Sequence, residues 1–321
     1  MPKLKLTHTV QLPSAKALAV AISPDGKLCA AGDRDGYIHI IDIKSGEIIK
    51  KLGRHIEFVY TLAFSPDNGH LFSAGKDKSI REWDIETGTF IKDHAGIFVN
   101  AGARSMNSQV LKQGTRSHSM TILDIALDKN NVMATASQDK HLKYWKNFEP
   151  FRTFDWHTAA VTCVRFQPET GILFSASRDK TIRSWNEVNG AVINKYNGHY
   201  GEIIGLDFVD ETMFVSADNK GQVIVWNSNS ESPAQFLHEA DSPIFCSAVL
   251  KKKKILFLGL ENGSIEAVKI STDKDAEHSK ALLSVHEHES EVRSISVHEA
   301  GGVASGDNSG RVNLWKYSDR G

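Results

Sequence analysis

Cysteine is scarce: three in 321 residues, Cys29, Cys163 and Cys246. Each lies in an apolar, strand-like stretch, so buried free thiols are expected rather than a disulfide framework. Long apolar runs are also lacking. No segment approaches the roughly 20 residues that a membrane helix needs. The longest N-terminal apolar stretch, Ala17–Ile22, is too short and too far along the chain for a signal peptide. Charge of one sign does not accumulate, with 38 Lys and Arg against 39 Asp and Glu. That balance argues against nucleic acid or a membrane as the main partner, while leaving room for a local patch. No glycine-rich loop follows a strand and opens a helix, so a phosphate cradle of that kind is not encoded. The remaining composition is that of an ordinary folded chain, and the expected compartment is reducing and intracellular, the cytoplasm first and the nucleus second.

What is present is a repeat. In Phe174–Trp185 a short strand ends in Ser175-Ala176-Ser177, turns at Arg178-Asp179-Lys180, and resumes as Thr181–Trp185. Strands joined by so short a turn pair as an antiparallel hairpin. The unit recurs at Phe72–Trp83 and Ala134–Trp145. In each, an Asp stands six residues before a Trp (Asp77/Trp83, Asp139/Trp145, Asp179/Trp185), and Ser73, Thr135 or Ser175 stands four before the Asp. A His opens each repeat: His55, His118 and His157, with His199 and His288 in the same register further on. The Trp position falls at 41, 83, 145, 185, 226, 268 and 315, which counts seven repeats of about 40 residues. Some are degenerate. Ile41 and Val268 replace Trp, and Lys220, Asn262 and Ser309 stand where Asp is expected. The repeats run approximately 14–53, 54–93, 118–155, 156–197, 198–238, 239–287 and 288–317, with a closing segment 1–13 and an insertion 94–117.

At these residues the sequence resembles the WD-repeat β-propeller family. Gly198-His199 precedes a strand and Trp83-Asp84 closes one, with Trp185-Asn186 and Trp226-Asn227 close to that pair. The resemblance covers about residues 14–317 and implies an all-β fold: one seven-bladed propeller with four antiparallel strands per blade. Physics agrees, because a lone four-stranded sheet cannot bury both faces, whereas radial stacking covers each blade with the next. The seventh repeat lacks its fourth strand. Lys3–Leu12 alternates, with Leu4, Leu6, Val10 and Leu12 on one face, and is the candidate to complete it. Within repeats two, three and four, His, Ser or Thr, Asp and Trp carry the groups for a chain of buried hydrogen bonds, each worth about 0.5–1.5 kcal/mol net.

The repeated motif is structural and says little of function. Because the His/Ser/Asp sets recur, no catalytic residue is assigned to them, and the chain reads as a non-enzyme with no cofactor. His286-Glu287-His288 invites a metal reading if both rings share a strand face. His288 already fits the structural register, so no metal site is assigned. Lys251–Lys254 sits at a strand a–b turn, read as a solvated turn or as a nuclear address or acidic-partner contact. The insertion mixes flexible residues with Ile97, Phe98 and Val99, and is either a partner-binding loop or an excursion without a role. Ser271–Ser279 reads as a polar loop on the opposite face. The leading function is a protein–protein interaction scaffold, adaptor or complex subunit. The alternatives are an RNA-particle subunit, ribosomal or RNA-processing, and an enzyme or small-ligand propeller using the central channel. Register places Arg34, Lys76 and Arg178 just before the turn Asp position, and Tyr60, Phe245 and Arg293 just inside strand a, with Phe58 nearby. Both sets are expected to ring one channel mouth, the face of the d–a and b–c connections. The expected ligand there is an acidic or phosphorylated protein segment. The competing reading is ordinary solvated charge, and the oligomeric state stays open.

Overall fold

The computed structural model describes residues 2–94, 118–271 and 281–319. Each repeat folds as a four-stranded antiparallel meander in the order a-b-c-d. Blade 1 comprises Ala17–Ile22, Leu28–Asp33, Tyr37–Asp42 and Ile48–Arg54; blade 2 comprises Val59–Phe64, His70–Gly75, Ile80–Asp84 and Phe90–Asp93. Blade 3 is Ile122–Leu127, Met133–Ser137, Leu142–Lys146 and Glu149–Phe154; blade 4 is Val161–Phe166, Leu173–Ser177, Thr181–Trp185 and Val192–Asn197. Blade 5 is Ile203–Phe208, Met213–Asp218, Gln222–Asn227 and Pro233–Glu239; blade 6 is Ile244–Leu250, Ile255–Leu260, Ser264–Lys269 and Ala281–His286. Blade 7 has Val292–His298, Gly302–Asp307 and Arg311–Ser318, and its outer strand is the N-terminal Lys3–Gln11.

That closure follows from the alternation in Lys3–Leu12. Leu4 pairs with Tyr317, Leu6 with Trp315 and Val10 with Val312, across a register shift between Leu6 and His8 where the Thr7 hydroxyl donates to the Leu314 carbonyl at 2.8 Å. Leu4 and Val10 are buried, while Lys3, Lys5, Thr7, Thr9 and Gln11 face out. The strand stops one residue earlier than its pattern, at Gln11. Leu12 is nevertheless buried, and its amide donates to the Gly310 carbonyl.

The b–c turn repeats one bond: the amide of the residue at Gly36, Lys78, Lys140, Lys180, Gly221, Gly263 or Gly310 donates to the last carbonyl of strand b. All seven adopt positive φ. Four blades use glycine there, and three place a lysine in a conformation that side chains disfavour. In those three the turn Asp compensates: Asp77, Asp139 and Asp179 each accept the amide two residues on, at 3.0–3.1 Å.

The apolar clusters belong to pairs of blades rather than to single ones. Ala30, Ile38 and Ile40 of blade 1 pack with Val59, Leu71 and Trp83 of blade 2. At the inner edge, strand a amides lack a strand partner and are met by side chains of the preceding blade. Val20 and Ile22 donate to the Ser294 and Ser296 hydroxyls, Ile125 to Thr61, Val164 to Asp124 and Val249 to Asp207. The outer rim is buttressed similarly, with Lys50 reaching the carbonyls of Ile85 and Glu86, and Arg152 that of Glu187.

Two expectations need correction or delimiting. The last strand of blade 6 ends at His286, so His288 lies beyond it. His286 is exposed beside the Ser264 hydroxyl, while His288 is buried against Asp307, and the two rings do not share a strand face. Residues 95–117 of the insertion and 272–279 of the polar loop lie outside the described residues.

Candidate interaction face

The geometry of one ring face is set by the b–c turns. In blades 2 to 7 the amide of the residue after strand b donates to a carbonyl just before strand a of the same blade. Lys76 is thus bonded to Phe58, Gln138 to Thr121, Arg178 to Ala160, Asn219 to Glu202, Glu261 to Pro243 and Asn308 to Glu291. This bond explains why Lys76 and Phe58 meet. The Lys76 ammonium lies 5.0 Å from the Phe58 ring centre. Arg34, the corresponding residue of blade 1, reaches the same ring at 5.8 Å. Tyr60 packs beside Phe58 at 6.2 Å. One aromatic side chain therefore carries two cations from adjacent blades, each attracted by the ring quadrupole. Across the ring, Arg293 sits 4.5 Å from the centre of Phe245.

The expected residues divide. Arg34, Phe58, Tyr60 and Lys76 come together in one cluster, and Phe245 and Arg293 form a second. Arg178 joins neither and pairs with Glu202 at 3.5 Å. Lys76 also has a carboxylate neighbour, Glu57, at 3.2 Å. The predicted ring around the channel mouth needs revision. The strand a set does line the channel, as Leu18, Tyr60, Leu123, Thr162, Ile204, Phe245 and Arg293. Of the turn set, Arg178 and Asn219 line it, whereas Arg34 and Lys76 are drawn to the Phe58 ring instead.

Behind this face the histidines anchor the connections. His55 Nδ1 lies 3.0 Å from Asp77, its Nε2 lies 2.7 Å from the Ser73 hydroxyl, and Trp83 donates its indole N–H to that hydroxyl at 2.7 Å. One tautomer satisfies every group: Trp donates to Ser, Ser to His, and His to Asp. His118, Thr135, Asp139 and Trp145 are arranged alike, as are His157, Ser175, Asp179 and Trp185. Burial alone would raise the Asp77 carboxyl, but hydrogen bonds from His55 and Ser79 outweigh it and hold its pKa at about 2. Burial lowers the His118 and His157 imidazoles, against the pull of Asp139 and Asp179.

Register arguments missed two further sets. His199 meets Asp218 and Ser216, with Trp226 on Ser216, and His288 meets Asp307 and Ser305, with Trp315 on Ser305. Here the Asp ends strand b, two residues before the turn position. Blade 1 keeps a remnant at the same place, Asp33 bonded to His39 at 3.0 Å.

Also missed was an apolar arc. Ile56, Met120, Trp156 and Tyr200 sit next to the histidines of blades 2 to 5 and are 75%, 44%, 60% and 68% exposed. All four belong to the d–a connections, on the face that carries the Phe58 cluster.

The channel has a volume of about 760 Å³. Its wall carries Asp124, Arg165 and Asp207, with Arg165 bonded to Asp124 at 2.5 Å and both carboxylates accepting inter-blade amides. Burial pushes the Cys163 thiol in that wall up to about 12. Among the described residues no group of three or more His, Cys, Asp or Glu is placed to hold a metal ion, and no helix is long and apolar enough to cross a membrane.

Comparison with known proteins gives a match to the WD domain, G-beta repeat, over residues 4–42, 46–84 and 148–186. Each matched unit begins within two residues of the start of an outer strand and ends at, or one residue past, the end of strand c of the next blade. The sequence repeat is thus offset from the structural blade, and the outer strand of the first unit is the one that closes blade 7. The chain is similar to the U3 snoRNP-associated protein-like EMB2271 of Arabidopsis thaliana, 24% identical over 72% of this chain and 48% of that protein. It is similar to the COMPASS component SWD3 of Saccharomyces cerevisiae, 24% identical over 67% of this chain and 69% of that one. Actin-interacting protein 1 of Drosophila melanogaster matches at 27% over 65% of this chain and 33% of its own length. The match spans about half of the plant relative and a third of the fly one.

Proposed function

The chain belongs to the WD-repeat β-propellers, and from that premise we propose that it is a non-enzymatic interaction scaffold or complex subunit. It holds a protein partner on the face of the d–a and b–c connections. The observation that carries this reading is the Phe58 ring with the Arg34 and Lys76 cations against it, on the ring face whose d–a connections also expose Ile56, Met120, Trp156 and Tyr200. Cations on an aromatic platform, with exposed large side chains on the same face, have the composition of an interface centre. The chemistry selects an acidic or phosphorylated segment with apolar neighbours. One relative is named as a COMPASS component and another as an actin-interacting protein, which supports the same class of role.

The test is capture of partners from source cells by the wild-type chain and by Arg34→Glu/Lys76→Glu. Lys44→Glu on the opposite face serves as the control. Loss of a wild-type partner from the first variant alone is the expected result. Capture that survives the double reversal but fails with Lys44→Glu would place the interface on the wrong face.

A further inference from the structure

On the opposite end of the ring lie the a–b turns. Six of the seven carry an acid: Asp25, Asp67, Asp128, Glu169, Asp210 and Glu299. In blade 6 the same turn is Lys251–Lys254. The acids of several other blades cap their own turns. Asp67 accepts the Gly69 amide, Asp128 those of Asn130 and Val132, and Asp210 those of Thr212 and Met213. Blade 6 has no acid of its own in that turn. Its Lys251 and Lys252 amides are instead accepted by Glu299 of blade 7, at 3.2 and 3.0 Å.

The turn is therefore satisfied from outside, and nothing in its backbone bonding requires lysine. Lys254 even occupies a left-handed conformation (φ 51°, ψ 53°) better suited to glycine or asparagine. Its form is fixed: Lys254 donates to the Lys251 carbonyl, the Lys269 ammonium to the Lys253 carbonyl, and the Ile270 amide to the Lys254 carbonyl. Lys253 is occupied by Asp319 and lies over the Tyr317 ring. Lys251, Lys252 and Lys254 are exposed and have no carboxylate partner among the described residues, in contrast to Lys27 with Asp25 and Lys129 with Glu169 at the same end of the ring. Lys269 and Lys316 add two more ammoniums on the same sector, the latter bonded to the Ala300 carbonyl.

We propose that this lysine turn is a second docking point, on the face opposite the Phe58 cluster, for a short acidic segment of a protein partner. Like charges packed on one rigid turn repel, and an incoming carboxylate relieves that repulsion. The acidic turns on the other blades limit the footprint. An extended polyanion such as RNA would have to cross Asp25 or Asp210 as well as Glu299, whereas a segment about one blade wide meets the exposed Lys251, Lys252 and Lys254, with Glu299 engaged by two backbone amides and Asp319 by Lys253. With both faces occupied, the propeller bridges two partners.

The experiment is fluorescence anisotropy of a short labelled oligo-glutamate peptide, at low and at physiological ionic strength, against the full chain. Its partners are Lys251→Ala/Lys252→Ala/Lys254→Ala, a same-face control Lys44→Ala/Lys129→Ala, and Arg34→Glu/Lys76→Glu, with labelled single-stranded oligo-uridylate as a second probe. The expected result is salt-sensitive peptide binding that weakens at least about tenfold in the triple variant and persists in the same-face control. Binding that also persists in Arg34→Glu/Lys76→Glu assigns it to this turn independently of the other face. If the triple variant melts early, Lys252→Glu, whose side chain makes no ion pair among the described residues, repeats the test. An unchanged triple variant, no peptide binding by wild type, or preferred capture of oligo-uridylate through the same lysines would each overturn the proposal.

Discussion

Blades 4 and 6 have the same four strands and solve the same interior problem in opposite ways. In blade 4 the positions hold His157, Ser175, Asp179 and Trp185, joined by hydrogen bonds. The strand pairings place Ala240, Leu258, Asn262 and Val268 at the equivalent positions of blade 6: Trp185 lies opposite Leu173 as Val268 lies opposite Leu256. Ala240, Leu258 and Val268 are buried and pack with Leu237, Leu260 and Val225. A blade thus tolerates a complete polar chain, as in blade 4, an apolar set, as in blade 6, or a remnant whose two members satisfy each other, as Asp33 and His39 do in blade 1. A buried polar group is costly mainly when its partner is missing, whereas an apolar replacement of the whole set is close to neutral. The two blades differ in what a single change does to them.

The largest effect should come from putting one polar member where its partners are absent. Leu258→Ser in blade 6 leaves a cavity and a buried hydroxyl facing Ala240 and Val268, and should cost about 3–5 kcal/mol in urea unfolding. A loss under about 1 kcal/mol would show that water or a rearranged blade satisfies the hydroxyl. Smaller is the cost of taking one member out of blade 4. Asp179→Ala strips His157 Nδ1 of its partner and should cost about 1–3 kcal/mol, while His157→Ala/Asp179→Ala should cost less than the two single changes added, by about 0.5–3 kcal/mol. Strict additivity in that cycle would mean that the groups do not act as a chain.

The smallest effect is in pH dependence. Burial keeps the folded His157 below its ordinary 6.5, so the unfolded chain takes up a proton in that range which the folded chain does not. Stability is then whole above pH 6.5 and falls as pH drops through the folded value. His157→Ala should remove its share of that slope, at most about 1.4 kcal/mol per pH unit. Val268→Ala in blade 6 should lower stability without changing the slope. Parallel slopes for wild type and His157→Ala between pH 7.5 and 5 would contradict the burial of a neutral imidazole.

Sequence spacing revealed the blades because each Trp or its stand-in ends the same strand, and a repeated strand length is a repeated number of residues. It missed Asp218 and Asp307 because spacing counts residues while the imidazole only measures distance. A carboxylate at the end of strand b reaches the same nitrogen as one two residues later in the turn. An Asp eight before Trp226 and Trp315 was the available signal. Phe58 and Lys76 were legible as neighbours by register, yet their mutual packing depends on the Lys76 amide bond to the Phe58 carbonyl, which no pattern states. Trp156 and Tyr200 escaped notice because apolar residues beside a buried His look like the start of a strand. Only the sharp path of the chain around His157 and His199 turns them outward.

The outer strand of blade 7 also sets a schedule. Thr7 meets Leu314 across 307 residues of sequence, so this strand leaves the ribosome long before its partner is made. At about 5–20 residues per second the delay is roughly 15–60 s. Blades 1 to 6 contain all their own strands and can mature in that interval, while Leu4, Leu6 and Val10 wait on an unpaired edge. Within the propeller, the strand synthesised first is therefore the last one placed.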